Sequence, residues 1–224
     1  MRNKYMRQTH LSEAKFRRLI RFFSADLGGL QIASLTGLNR NTVNRILALA
    51  RARIVGMNAR ESPFESGEVE IDESYFGTRR VRGKRGRGAY GKTIVFGMKK
   101  RGDRVHTRVV RNCSRSTLMP IITGFVSRRC AVYSDEHKTC DGLVNYGYKK
   151  HYRIKRCDNV FANGKAHVNG IESFRGVAKT RLAKKRGIKA GAFHGHLNET
   201  EWRFNHRHEN IYMLLLKEFR KAPL

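Results

Sequence analysis

Acidic residues are scarce in this chain. Only 18 aspartates and glutamates stand against 47 lysines and arginines, a formal net charge of +29. With an isoelectric point near 10.9, the composition points to a polyanionic partner, and to nucleic acid before any other. Long apolar runs are also missing. None approaches the ~20 residues that a transmembrane helix needs. The basic start, Met1 to Arg7, has no apolar stretch behind it. Neither a signal peptide nor membrane association is therefore expected, and the expected location is the cytoplasm. Cysteine is sparse. Cys113, Cys130, Cys140 and Cys157 form no C-x-x-C pair. They read as reduced structural thiols. His137 and Cys140 resemble half of a zinc site, but no second half is visible. Tryptophan occurs once, yet 12 phenylalanines, 8 tyrosines and 40% hydrophobic residues among 224 can fill a core. That length suits one sizeable domain with a smaller one.

The N-terminal region reads as helical. Ser12 is cap-like, and Phe16, Leu19, Ile20 and Phe23 recur at helical spacing. Gly28-Gly29 breaks the run, a short helix follows, and Thr36-Gly37-Leu38-Asn39 leads into another helix carrying Val43, Ile46 and Leu47. Short helix, glycine-containing turn and helix is the helix-turn-helix pattern. Arg40, Asn41, Asn44 and Arg45 open the second helix with side chains that reach base edges and phosphates. A linker is expected over 56–67, around Gly56, Pro63 and Gly67. Strands are expected over 68–76, 93–100, 104–111, 130–135 and 150–156. Helices are expected over 116–127, 168–186, 196–206 and 210–220. Three consecutive strands followed by alternating helices and strands match an α/β fold with a ribonuclease-H-like mixed sheet and flanking helices. A small all-α helix-turn-helix domain precedes it. The expected domains are 1–55, the linker 56–67, and 68–224 with the C-terminal helices.

Against the basic background, three acids stand in apolar settings. Asp72 lies in Val69-Glu70-Ile71-Asp72-Glu73-Ser74-Tyr75-Phe76, and Asp135 ends Ala131-Val132-Tyr133-Ser134-Asp135. Strand alternation puts Glu70, Asp72 and Ser74 on one face and Val69, Ile71 and Tyr75 on the other. Asp135 falls where a strand runs out into a loop, the end at which open α/β sheets bind ligands. Glu172 lies on a helix whose polar stripe holds Asn169, Glu172, Arg175 and Lys179. Val168, Ile171, Phe174, Ala178 and Leu182 form its apolar stripe. Hard divalent cations prefer carboxylate oxygen, and two such ions can activate an oxygen nucleophile and stabilise a leaving oxygen at a phosphodiester. Each acid alone reads as a surface or capping group; together they read as a metal site.

Two runs are purely basic, 79–92 and 175–189. The first holds Arg85, Arg87 and Lys92, and the second Arg175 and Lys179. Flanking the acids, they suggest a phosphate channel. Gly86 to Thr93 matches the P-loop letter for letter, but an apolar segment with strand character follows it where a P-loop would open a helix. Nucleotide hydrolysis is therefore set aside.

These segments together resemble bacterial insertion-sequence DDE transposases of the kind related to eukaryotic Merlin elements. The resemblance runs from about Glu68 to His208. It rests on Val69 to Gly77, Gly86 to Lys92, Val95-Phe96-Gly97, Val132 to Asp135, His167 to Phe174, and Leu197 to Asn205. It implies a ribonuclease-H-like fold, Mg²⁺ or Mn²⁺ as a pair of ions, and DNA cleavage with strand transfer at element ends. It also implies that Asp72, Asp135 and Glu172 are the catalytic acids and Lys179 the basic residue seven after the glutamate. Some members carry asparagine as the third group, the position of Asn169, which leaves the third ligand open. Many relatives have an N-terminal zinc ribbon with paired C-x-x-C; this chain shows none, so end recognition falls to the helix-turn-helix. The expected partners are double-stranded DNA and a second copy of the chain, since two ends must be joined. Two alternatives are a non-enzymatic DNA-binding regulator and a nuclease that cuts without joining.

Overall fold

The computed structural model describes residues 3–77, 92–135, 146–148, 150–154, 169–185 and 187–224. In chain order the elements are α1 (Glu13–Ser24), α2 (Gly29–Thr36), α3 (Arg40–Asn58), β1 (Glu68–Phe76), β2 (Thr93–Lys100), β3 (Val105–Val110), α4 (Arg115–Phe125), β4 (Ala131–Asp135), β5 (Lys150–Ile154), α5 (Asn169–Lys184), α6 (Ala190–Asn205) and α7 (Ile211–Lys221). They form two compact units, one of Met1–Arg60 with Lys185–Leu224 and one of Glu61–Lys184.

In the first unit, the Ser12 side chain accepts from the Lys15 amide at 3.4 Å and starts α1, whose inner face is Phe16, Leu19, Ile20 and Phe23. Gly37, at φ +66°, ends α2 in the left-handed region that glycine tolerates best. Asn39 caps α3 by accepting from the Asn41 amide at 2.8 Å. The C-terminal helices, grouped by sequence with the sheet, pack here instead. Trp202, Leu215, Leu216 and Phe219 share one core with the inner residues of α1, α2 and α3. The apolar stripes of α6 and α7 complete the core begun by α1, α2 and α3. Polar ties follow the same contacts. Arg51 donates to Glu199 at 2.7 Å, and Asn58 donates to the Asn198 carbonyl at 3.0 Å. The second tie explains why α3 runs through Gly56 to Asn58, inside the expected linker.

The second unit is a five-stranded mixed sheet in the order β3-β2-β1-β4-β5. β1 pairs antiparallel with β2 and β2 with β3, while β4 runs parallel to both β1 and β5. One face carries Val69, Ile71, Phe96, Met98 and Val132, packed with Leu118, Met119 and Ile122 of α4. Phe64, also in the expected linker, is buried in that core. Its amide donates to the Phe125 carbonyl at 2.8 Å and its carbonyl accepts from Ser127 at 2.8 Å. The opposite face bears Glu68, Glu70 and Asp72 of β1 and receives α5.

Candidate functional site

Period-two alternation puts Glu70 and Asp72 on the α5 side of β1, and both are buried. Asp72 pairs across the ladder with Gly97. A Cβ at Gly97 would lie 2.8 Å from Ile171 Cδ1, so the missing side chain is what lets α5 seat on the sheet. Gly170 plays the same part from the helix, since a Cβ there would lie 2.8 Å from Glu70 Oε2.

Glu70 anchors the start of α5. Its carboxylate accepts from the Ile171 amide at 2.8 Å and from Arg101 Nε at 2.9 Å. Arg101 also donates to Glu68 at 2.6 Å, and its guanidinium lies 4.0 Å above the Tyr133 ring. The Tyr133 hydroxyl donates to Glu68 at 2.8 Å. The first amides of a helix have no intrahelical acceptor and form its positive end, so a buried carboxylate satisfies both needs. Sequence reasoning placed Glu70 on the face of Asp72 but missed this role. The bonded amide is 101 residues away, and no local pattern announces it.

Asp72 is 8% exposed. Arg175 Nη1 donates to its Oδ2 at 3.0 Å. Glu172 and Lys179 share the helical face of Arg175, one turn before and one turn after it. Glu172 is half-buried; Asn169, at the first residue of α5, is exposed. The Lys179 amine is held below its ordinary value by burial first, then by the charges of Arg175 and Lys92, with Asp72 opposing. Arg175, Lys92 and Asp72 thus all lie within electrostatic reach of Lys179. In β4, Tyr133 is level with Glu70 of the neighbouring parallel strand. The ladder ends with Ile71 level with Ser134, and Asp72 and Asp135 are the next residues of the two strands. The Asp135 side chain lies outside the described residues, as do Arg85 and Arg87. Among the described residues no three His, Cys, Asp or Glu side chains form a metal-ligating group. The oxygen donors on Asp72 and Glu172 are of the kind that hard divalent cations take, so the residues suit Mg²⁺ or Mn²⁺ chemically.

In the helical unit, Arg40, Asn41, Asn44 and Arg45 are all exposed along the first turns of α3, and Asn44 rests against Gly29 at the start of α2. Thr93, the last residue of the P-loop match, opens strand β2 and no helix. Cys113 and Cys130 are free thiols, both pushed upward in pKa chiefly by burial. His137, Cys140 and Cys157 lie outside the described residues. Among the described residues no helix is long and apolar enough to cross a membrane.

A sheet that buries carboxylates beneath a cationic helix, in a chain this basic, fits the class of proteins that act on a polyanion. Comparison with known proteins narrows that class to the insertion-sequence transposases: residues 65–205 match the ISXO2-like transposase domain, and the chain belongs to that family. A Haemophilus influenzae protein described as an uncharacterized transposase-like protein is 35% identical over 121 residues, which cover 54% of this chain and 97% of that protein.

Proposed function

We propose that this chain is a metal-dependent DNA transposase that cleaves and joins DNA at the ends of an insertion sequence. The observation that carries the reading is the buried Asp72, one residue beyond the β1–β4 ladder and bonded to Arg175 of a helix that also carries Glu172 and Lys179. Asp72, Asp135 and Glu172 would hold the cations. Glu172 is the better third ligand than Asn169 because it lies on the half-buried stripe of Arg175. Bound there, Mg²⁺ or Mn²⁺ would supply Lewis-acid activation of a water or 3′-hydroxyl and stabilisation of the leaving oxygen. The chain supplies the positioning. Glu70 pins the first turn of α5, so Glu172, Arg175 and Lys179 move with the helix as one body. Arg175, Lys179 and Lys92 place cations where the phosphodiester must lie.

The strand order, with one antiparallel half and one parallel half, supports a ribonuclease-H-like fold. The geometry of α2, Gly37 and α3 supports a helix-turn-helix, with Arg40, Asn41, Asn44 and Arg45 toward DNA. Arg85 and Arg87 belong to the same proposal through the basic run that holds Lys92. The enzyme would work as a homodimer or larger assembly, one copy per DNA end, at the nucleoid in the cytoplasm.

A strand-transfer assay with Mg²⁺ or Mn²⁺ on DNA bearing the element ends tests the reading. Asp72→Asn and Asp135→Asn should bind DNA normally and join nothing. Full joining by either variant sinks the assignment. Cutting without joining by the unaltered protein would make it a nuclease, and binding with neither step would make it a regulator.

A further inference from the structure

The helical unit has a cationic hollow away from α3 that none of these roles uses. It measures about 310 Å³ and is lined by Ala14, Arg17, Arg18 and Arg21 of α1 with Tyr212 of α7. Arg17 Nε donates to the Tyr212 hydroxyl at 3.4 Å, and the Arg21 guanidinium carbon lies 5.1 Å from the centre of the same ring. Arg18 lies 5.7 Å from the centre of the Phe22 ring. The Arg17 bond uses Nε, no hydrogen bond engages the terminal nitrogens of the three arginines among the described residues, and all three residues are exposed. Glu13, the acid of α1, is bonded to Lys4 at 3.1 Å. None of the three arginines makes an ion pair among the described residues.

Three guanidinium groups at i, i+1 and i+4 repel one another, and Glu13, already bonded to Lys4, attracts Arg17 but does not neutralise the cluster. An anion with several oxygens would. Guanidinium forks match phosphate oxygens in bidentate geometry, and the tyrosine holds two of the forks in place before any ligand arrives. We infer that the hollow between α1 and α7 is a binding site for the sugar-phosphate backbone of DNA, separate from the face of α3. The separation follows from the helix. Phe16, Leu19, Ile20 and Phe23 point inward; Arg17 and Arg21 lie on the flank toward α7. Lys15 lies on the other flank, where it borders a hollow of about 460 Å³ with Thr42 and Arg45 of α3. One unit therefore offers phosphate two footholds on opposite sides of α1. The second could take a later stretch of the duplex bound on α3 or a separate duplex.

The inference rests on the reading that the substrate is DNA, and the test separates the two. Full-length protein is titrated with a labelled 40-base-pair duplex carrying an element end, over a series of salt concentrations. Arg17→Gln with Arg21→Gln should lower affinity roughly tenfold and reduce the salt slope by about two, one released counterion per lost phosphate contact. Lys217→Gln with Arg220→Gln removes the same charge from α7 outside the hollow and should change binding far less. Arg40→Gln with Arg45→Gln reports on α3. Equal losses in the first two double variants would reduce the hollow to part of a general positive field and overturn the inference. A loss with the α3 variant alone, or no loss with any variant, also overturns it but leaves the DNA reading standing; failure of the unaltered protein to bind the duplex removes the DNA reading itself. Stoichiometry at excess duplex identifies the source. Loss of a second bound duplex in Arg17→Gln/Arg21→Gln means separate DNA, and weaker binding at unchanged stoichiometry means one duplex reaching both footholds.

Discussion

Arg175→Gln should make the DNA-free protein bind Mn²⁺ more tightly. Arg175 donates to Asp72 at 3.0 Å, with the arginine side chain 31% exposed and the aspartate 7%. A cation that takes Asp72 as a ligand must displace that guanidinium or share the carboxylate with it. Opposite charges about 4 Å apart attract by about 4 kcal/mol at an effective dielectric near 20. Partial exposure of the arginine and the ordering of its long side chain cut the net to roughly 1–2 kcal/mol. Removing the competitor should therefore tighten Mn²⁺ binding roughly 5- to 30-fold, at about 1.4 kcal/mol per tenfold. Calorimetric titration of DNA-free protein reads this directly and needs no turnover. Lys179→Gln is the control, because it removes a nearby positive charge with no hydrogen bond to Asp72 among those described. Its gain should be clearly smaller. Unchanged or weaker binding by Arg175→Gln refutes the reasoning, and so does an equal gain from Lys179→Gln. If Asp72→Asn binds Mn²⁺ as well as the unaltered protein, Asp72 is not a ligand at all.

Three further outcomes test how α5 is held and how the core titrates. Glu70→Ala leaves Arg101 and the Ile171 amide without their buried acceptor; stability in urea should fall by about 3–5 kcal/mol, and a loss under about 1 kcal/mol would mean Glu70 does not anchor the helix. Gly170→Ala forces a methyl toward a carboxylate that is already pinned; a destabilisation of about 1–3 kcal/mol with a loss of strand transfer is expected, and normal values for both would refute the tight seating of α5. Burial pushes the Cys130 thiol above its ordinary value of 9.0, so the folded chain keeps a proton that the unfolded chain releases. Stability should then fall as pH rises past that ordinary value, and Cys130→Ala should flatten the decline in melting temperature; identical slopes would count against it.

Much of the fold was legible without coordinates because its signals are local. The alternation in Val69 to Phe76 and the apolar character of Thr93 to Lys100 mark strands β1 and β2 at their observed ends. Ser12 and Asn39 cap helices because their side-chain oxygens reach amides two or three residues ahead. The stripe of Ile171, Phe174, Ala178 and Leu182 is the buried face of α5, joined there by Arg181. The placement of α6 and α7 was not legible. Their apolar faces suit any open core, and only packing decided that they close the core of α1 to α3.

The scarcity of acids singled out Asp72 from the chain alone, because a carboxylate in an apolar strand stands out in a chain of charge +29. Its neighbours needed the tertiary structure. Glu70 and Asp72 look alike in sequence, two residues apart on one face of one strand. In the fold, Glu70 accepts from a helix amide and Arg101, while Asp72 meets Arg175 from the next turn of the same helix. Periodicity can say which way a side chain points. What it meets there depends on contacts about a hundred residues apart, and those exist only once the helix lies on the sheet.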